Sequence, residues 1–504
     1  MNRGKNFTQA SNLNKLALLK DFSLAIFSCL VVLVATLYPF NFALPDNLSL
    51  PGIVASFDNI SSVKDQVNNI LLFMPVGFGL SALLQRVRIN PIIKFLTIIL
   101  ISAGLSTLVE FLQVFLPSRA PTPADIINNS AGGMLGIICF YIWNSQRFTY
   151  ILSSLENSRT SNSNKKLTLF FIGYIFLSFL VSISWQGTTH FSNWGLNYPL
   201  LLGNELTGDR PWNGYISEVN IADKAISKTE ASQIFEGQNY LDNIGNSLIA
   251  SYKLSGKESY PDRTGKLPEL LPQGQLSDIQ EGEGATLSSS HWLETESPPK
   301  FLNKRLRETS QFTIITTVAT ADIAQTGPAR IISLSGDTLR RNLTLGQEGS
   351  NLDVRLRTPM TGDNGTDLRL NFPDIFTDTK PHQIVVTYSK ANLQVYVDKL
   401  QNSYSLNLLE LVPKEQKMFF YGLTFIPLGI CLSLLSTLAR RRLSFYWLLL
   451  LGGILLPSLI VEAILVTDTG KNISLQNLVI SILFTAGTTL ILKLRAAALV
   501  KRAA

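Results

Sequence analysis

Ile92-Ile-Lys-Phe-Leu-Thr-Ile-Ile-Leu-Ile-Ser-Ala-Gly-Leu-Ser-Thr-Leu-Val-Glu110-Phe-Leu-Gln113-Val-Phe115 carries no charge between Lys94 and Glu110. A bilayer core needs roughly 17–25 mostly apolar residues per helix, and this stretch meets that length. Reading outward from it, apolar runs at 22–40, 69–85, 93–116, 126–144, 167–184, 418–438, 444–466 and 475–493 are predicted to be spans. The runs at 69–85 and 126–144 carry Gly, Pro or Asn, which spans tolerate where neighbouring helices satisfy the backbone. The composition agrees: 46% of the 504 residues are hydrophobic and 16% charged, with a mean hydropathy of +0.21. An average soluble domain carries about 25% charged residues.

The net charge of +7 does not point to nucleic acid, because the excess Lys and Arg flank the apolar runs. Arg3, Lys5, Lys15 and Lys20, then Arg86, Arg88 and Lys94, Arg147 to Lys166, Arg440 to Arg442, and Lys493 to Arg502 fall on one side of the predicted spans. Only Lys64, Arg119 and Lys471 stand in the short loops on the other side. The positive-inside rule then places both termini in the cytoplasm and segment 185–417 outside it. Cys29, Cys139 and Cys431 all lie within apolar runs, so a disulfide framework and a cysteine metal cluster are excluded from the soluble part. The first apolar run continues as Leu37-Tyr38-Pro39-Phe40 without a small-residue cleavage site, and reads as a span instead of a signal peptide.

Segment 185–417 has no long apolar run. Ile332 and Leu334 alternate with Ile331, Ser333 and Ser335, and Leu352, Val354 and Leu356 with Asp353, Arg355 and Arg357. His382–Tyr388 and Leu393–Val397 also read as half-buried strands, and Asp363-Asn-Gly365 as a turn. The spacing predicts a β-sandwich. Leu248-Ile-Ala-Ser-Tyr252 followed by Asp262-Arg-Thr-Gly265 resembles the opening of concanavalin-like (laminin-G-like) sandwiches. The pattern that usually closes such domains stands upstream here, as Trp212-Asn-Gly214-Tyr-Ile216-Ser-Glu218-Val219 and Ala225-Ile-Ser227. One circularly permuted sandwich is the expectation. The resemblance implies binding of a carbohydrate or envelope polymer, with Trp194 and Trp212 as candidate sugar-stacking rings; a spacer or protein-contact sandwich, with both rings in its core, is the other reading. The three histidines, His190, His291 and His382, are too scattered to argue a metal site.

The membrane part has a denser signature. Thr36-Leu-Tyr-Pro-Phe40 is followed by Asp65, Asn69, Phe73, Pro75 and Gly77, then Glu110, Gln113 and Phe115, then Arg119, and then Asp125, Asn129, Gly132 and Gly136. Over residues 22–144 this resembles the VanZ-like family, named for a protein of glycopeptide-antibiotic resistance. The resemblance implies a role in the cell envelope with influence on glycopeptide susceptibility. By topology, Asp65, Asn69, Glu110, Gln113, Arg119, Asp125 and Asn129 converge on the outer leaflet. A carboxylate within a span is by default a functional hypothesis, which singles out Glu110. Asp65 and Asp125 also read as helix caps, Asn69 and Asn129 as interhelical hydrogen-bond partners, and Arg119 as a solvated loop charge.

Phe73-Met-Pro75-Val-Gly77 recurs as Phe425-Ile-Pro427-Leu-Gly429, every position displaced by 352, and the same offset takes Glu110 to Glu462. The last three spans therefore read as a degenerate copy of spans two to four. The fold class predicted is an α-helical polytopic membrane protein of about eight spans in two four-helix units, with an inserted extracytoplasmic all-β sandwich. Its segments are a tail at 1–21, the VanZ-like unit at 22–144, a cytoplasmic loop at 145–166, a fifth span at 167–184, the sandwich at 185–417, three spans at 418–493 and a tail at 494–504. Two functions stay open. One is binding of an outer-leaflet or cell-wall component, a glycan or a lipid-linked precursor. The other is a membrane enzyme acting on a lipid-linked substrate, with Glu110 and Asp125 as an acid–base pair and Arg119 gripping a phosphate or carboxylate. Transport fits less well, because the polar groups gather at one surface and not at the midplane. No cofactor, nucleotide or nucleic acid is implied.

Overall fold

The computed structural model describes residues 2–43, 63–116, 122–144, 163–237, 244–255, 259–274, 284–337, 339–439 and 443–503. Arg119, Arg147, Arg159 and Arg440 to Arg442 lie outside the described residues. Eight long helices are present among those described: α1 (Asn2–Leu37), α2 (Val63–Leu84), α3 (Pro91–Gln113), α4 (Pro123–Asn144), α5 (Asn164–Gly187), α6 (Lys414–Leu438), α7 (Leu443–Thr469) and α8 (Leu475–Ala503). Seven of them, α2 to α8, are long and apolar enough to cross a membrane. The expected span at 22–40 is shorter in the structure. Its apolar stretch, Asp21–Leu37, ends before Pro39, which disfavours helix at the residue preceding it. Asn90 starts α3 by accepting the N–H of Ile92 at 2.8 Å, with Pro91 in the first helical position, where a missing N–H costs nothing.

The chain divides into two compact units, and the boundary runs through α5 to α8. The first unit holds α1 to α4 with 426–450 and 485–504; the second holds 171–425 and 451–484.

Within the first unit, α2 and α4 touch backbone to backbone. A Cβ on Gly77 would stand 2.0 Å from the carbonyl oxygen of Gly133, and one on Gly136 would stand 2.1 Å from that of Met74. Phe73, Val76, Ile98, Val109 and Ile137 fill the core between α2, α3 and α4, and Ala25 and Val32 add α1.

Within the second unit, two antiparallel seven-stranded sheets form the β-sandwich. One runs in the order Leu370–Phe372, Asn351–Leu356, Arg341–Glu348, Ala329–Ser335, Leu200–Leu202, His291–Thr295, Leu270–Gly274. The other runs Lys399–Asn407, Asn392–Val397, His382–Ser389, Gln311–Thr320, Gly214–Ala222, Leu248–Lys253, with Ala285–Leu287 pairing Gly214–Ala222. The upstream strands are integral to both sheets: Val219 pairs with Thr316 and Tyr252, and Leu201 with Ser333 and Glu294. Leu352, Val354 and Leu356 are buried as their alternation predicts. The strand Ala329–Ser335 is buried along its whole length, Ser333 and Ser335 included. The loop after Leu202 covers its polar face, where the buried Glu205 carboxylate accepts from Arg330 at 3.2 Å and Arg341 at 3.0 Å. Burial holds the Arg330 guanidinium down at about 10, with Glu205 acting the other way.

The sandwich is fastened to the helix ends of its own unit by hydrogen bonds that end on main-chain oxygens. Asn392 and Asn407 both donate to the carbonyl of Thr469, the last residue of α7, and the Asn407 bond measures 3.0 Å. The Tyr388 hydroxyl donates to the Thr189 carbonyl at 2.6 Å just past α5, and Met360 N–H to that of Thr188 at 3.0 Å. Lys390 and Asp468 add an ion pair at 2.8 Å.

Candidate functional site

In the first unit the glycine contacts between α2 and α4 fix the frame, and the end of α3 supplies the chemistry. Glu110 is 2% exposed and its Oε2 accepts the backbone N–H of Thr122 at 2.8 Å. Thr122 immediately precedes α4, so the carboxylate closes the loop that joins α3 to α4. Gln113, also buried, donates to the Thr36 carbonyl of α1 at 3.2 Å. Asn129, nearly two turns into α4, donates to the Ser106 hydroxyl of α3 at 2.8 Å. Its Oδ1 is buried and meets no donor among the described residues. Asp65 and Asp125 occupy the first turns of α2 and α4, where a carboxylate complements the exposed N–H groups of a helix start. Asp65 is exposed; Asn69 and Asp125 are half-buried. Asp125 lies within electrostatic reach of Glu110. The structure therefore brings Glu110, Gln113 and Asn129 into one buried hydrogen-bonded end of the bundle, with Asp125 beside it.

The same construction recurs 352 residues later in the second unit. Glu462 of α7 is buried, and its Oε1 accepts the backbone N–H of Ser474, the residue before α8, at 2.9 Å. The same oxygen accepts from the buried Lys471 ammonium. Ser474 stands at the Thr122 position, and Lys471 at that of Arg119. The helix contact repeats as well, in the first unit: a Cβ on Gly429 would meet the carbonyl oxygen of Thr485 at 2.8 Å, as one on Gly77 meets that of Gly133. The Glu–N–H clasp escapes sequence reading because a backbone donor has no residue signature. The Glu462–Lys471 pair was within reach, since the offset that links Glu110 to Glu462 also links Arg119 to Lys471.

A small, partly open pocket lies wholly inside the second unit at the sandwich-side ends of the helices. Trp185, Lys417, Tyr421, Leu465, Lys471 and Asn477 line it from the helical side, and Met360, Leu409 and Val412 from the sandwich side.

In the sandwich, Trp194 and Trp212 correct the sugar-stacking expectation. Both are buried, at 2% and 0% exposure. Trp194 stacks on Phe191 with ring centroids 4.5 Å apart and donates its indole N–H to the Arg357 carbonyl at 2.8 Å. Trp212 donates to Gln347 Oε1 at 2.8 Å. With ring and N–H both committed internally, neither presents a face to a ligand. His382 bridges Asp398 at 2.6 Å and Asp378 at 3.1 Å at the start of its strand. Among the described residues no group of three or more His, Cys, Asp or Glu side chains is arranged to hold a metal ion.

Residues 24–144 match the VanZ/LLP1 family model, over α1 to α4 and the Glu110 clasp. No curated protein and no solved structure matches the chain.

Proposed function

Starting from a VanZ/LLP1-type membrane unit on residues 24–144, we propose that this protein presents its sandwich on the extracytoplasmic face of the membrane to bind an outer-leaflet or cell-wall component. The observation that carries the reading is the fastening of the sandwich to α5 and α7 through Tyr388, Asn392 and Asn407. A buried carbonyl left without its donor costs about 1–3 kcal/mol, so these bonds hold the domain in a set relation to the helix ends of its unit. A domain that only had to be anchored would need no such joint. The charge bias of the loops supports an extracytoplasmic position for that joint. The strands contributed from upstream of Leu248 support a single permuted sandwich as the binding element.

The enzyme reading fits less well. An acid–base pair needs a carboxylate free to exchange its proton with a substrate. Glu110 spends an oxygen on closing a loop, and Glu462 repeats that use where the polar set around it has changed. Any glycan contact on this sandwich falls to its exterior side chains, since Trp194 and Trp212 are buried.

Orientation is tested by labelling from outside intact cells, with Ser403→Cys on the exposed edge strand and Arg88→Cys between α2 and α3, in a background without the native cysteines. Labelling of Ser403→Cys alone is expected; the reverse pattern overturns the reading. Full-length protein in lipid nanodiscs is then expected to sediment with cell-wall sacculi, and failure to do so sinks the wall-binding half. Altered glycopeptide susceptibility on deletion is the cellular counterpart.

A further inference from the structure

The pocket in the second unit differs in charge from the cluster to which it corresponds. Subtracting 352 from Lys417, Tyr421, Leu465, Lys471 and Asn477 gives Asp65, Asn69, Gln113, Arg119 and Asp125. Two acidic positions have become a lysine and an asparagine, while the basic position stays basic. The carboxylate at the Glu462 position is already engaged with Lys471 and the Ser474 N–H. Lys417 is half-buried, and among the described residues its ammonium hydrogen-bonds only the Glu410 carbonyl, at 3.1 Å, with no ion-pair partner. The charges that act on it are those of Lys471, Glu410 and Glu462; the exposed Glu410 carboxylate is turned to the N–H and side-chain amide of Asn472 at 2.7 and 3.1 Å. The Glu410 and Glu462 carboxylates balance the two lysines in overall charge, but the Lys417 ammonium is in direct contact with neither.

The surroundings define what could contact that ammonium directly. Lys417 stands at the start of the apolar stretch Gln416–Leu438, Leu465 near the end of Phe445–Thr469, and Asn477 near the start of Leu475–Ala497. The pocket thus opens at the level where apolar helices meet their polar ends. Trp185 packs edge-on against Tyr421 and Phe420, with ring centroids 5.1 and 5.8 Å apart, a pairing suited to a membrane–water boundary. The rest of the lining is apolar, from Leu409, Val412 and Leu465. A cation with polar neighbours above an apolar wall suits an amphiphile with a negative head.

We propose that this pocket binds the phosphate group of an anionic lipid, with the Lys417 ammonium as its charge partner and Asn477 as a further polar contact. The site is separate from the wall-binding reading and from the choice of leaflet. It requires only that the sandwich-side helix ends lie at a lipid surface.

The test uses the full chain, released from nanodiscs of mixed phosphatidylglycerol and phosphatidylcholine into native mass spectrometry. The wild type is expected to retain phosphatidylglycerol preferentially. Lys417→Gln is expected to lower that retention about tenfold, as loss of one charge-assisted contact does, and Lys417→Arg to keep it. If Lys417→Gln does not fold, Asn477→Asp adds a carboxylate to the same lining and is expected to lower retention likewise. Persistence of the lipid in excess inorganic phosphate supports the lipid phosphate as ligand. Displacement, with inorganic phosphate raising the melting temperature of wild type but not of Lys417→Gln, keeps the anion site but assigns it to free phosphate. Equal retention by wild type and both charge-changing variants, with no effect of inorganic phosphate, overturns the proposal.

Discussion

Glu462 accepts the backbone N–H of Ser474 at 2.9 Å, and 352 residues earlier Glu110 accepts that of Thr122 at 2.8 Å. A buried carboxylate is costly unless its hydrogen bonds are supplied, and here a loop N–H supplies one in each copy. The shared element is the clasp, since the side chains around it differ: Gln113 beside Glu110 corresponds to Leu465 beside Glu462. Glu110→Gln keeps an acceptor oxygen and is expected to stay within about 1 kcal/mol of wild type. Glu110→Ala strands the Thr122 N–H and is expected to cost about 1–3 kcal/mol. Thermal unfolding in nanodiscs separates the two. A Gln variant as unstable as the Ala variant would show that the charge, and not the acceptor, holds the loop.

The glycines of α2 and α4 offer a sharper contrast. Gly77 and Gly136 face backbone oxygens that a methyl group would approach to 2.0 and 2.1 Å, and a backbone cannot turn aside as a flexible side chain can. Alanine at either site is expected to separate the helices and to abolish folded yield or cost several kcal/mol, in the range of severe overpacking. Gly104 on α3 has nothing within 4 Å of its added Cβ. Gly104→Ala is expected to be neutral or slightly stabilising, because alanine is the better helix former. Equal yields of all three alanine variants would contradict the packing.

The spans were legible because apolar length is itself the physical requirement for crossing a bilayer, and the expected boundaries fall within a few residues of α2 to α8 at most ends. Gly214–Ala222 was legible as a strand through its Trp212-x-Gly214-x-Ile216 pattern, and its place beside Gln311–Thr320 agrees with the upstream position of that pattern. Trp212 was ambiguous for the same reason: an indole has the same appearance in sequence whether it stacks on a sugar or fills a core. Ser333 read as solvent-facing because alternation assumes one open face, and the Glu205 loop closes that face. The pairing of Glu110 with Thr122 was hidden, since it uses a main-chain donor. The strand Leu200–Leu202 was too short to announce itself, although it joins two longer strands into one sheet.

The sandwich carries a pH-sensitive group. Burial pushes the His291 imidazole below its ordinary range, with a main-chain contact to Gln273 acting the other way. The folded state therefore prefers the neutral ring. Below about pH 6.5 the unfolded chain binds a proton that the folded chain resists, so this contribution is complete above that pH and is lost as pH falls through it. The melting temperature is expected to drop between about pH 7.5 and pH 5, and His291→Gln to reduce that drop. Carboxylates contribute to the same trend in both proteins, so the difference between the two curves isolates the histidine. Parallel curves would remove His291 from the account.

Lys471 and Glu462 are both nearly inaccessible and are bonded to each other. Such a pair is a poor source of net stability, because both charges have left water, yet removing one member leaves the other charged and uncompensated. Lys471→Met is therefore expected to cost about 3–5 kcal/mol, the usual penalty for breaking a buried pair. Lys471→Met combined with Glu462→Gln removes both charges, keeps an acceptor for the Ser474 N–H, and is expected to recover most of that loss. A cycle of the two single variants and the double variant, read by unfolding in nanodiscs, yields the coupling directly. If Lys471→Met alone unfolds like wild type, the pair does not hold the loop between α7 and α8, and the Ser474 clasp must do so unaided.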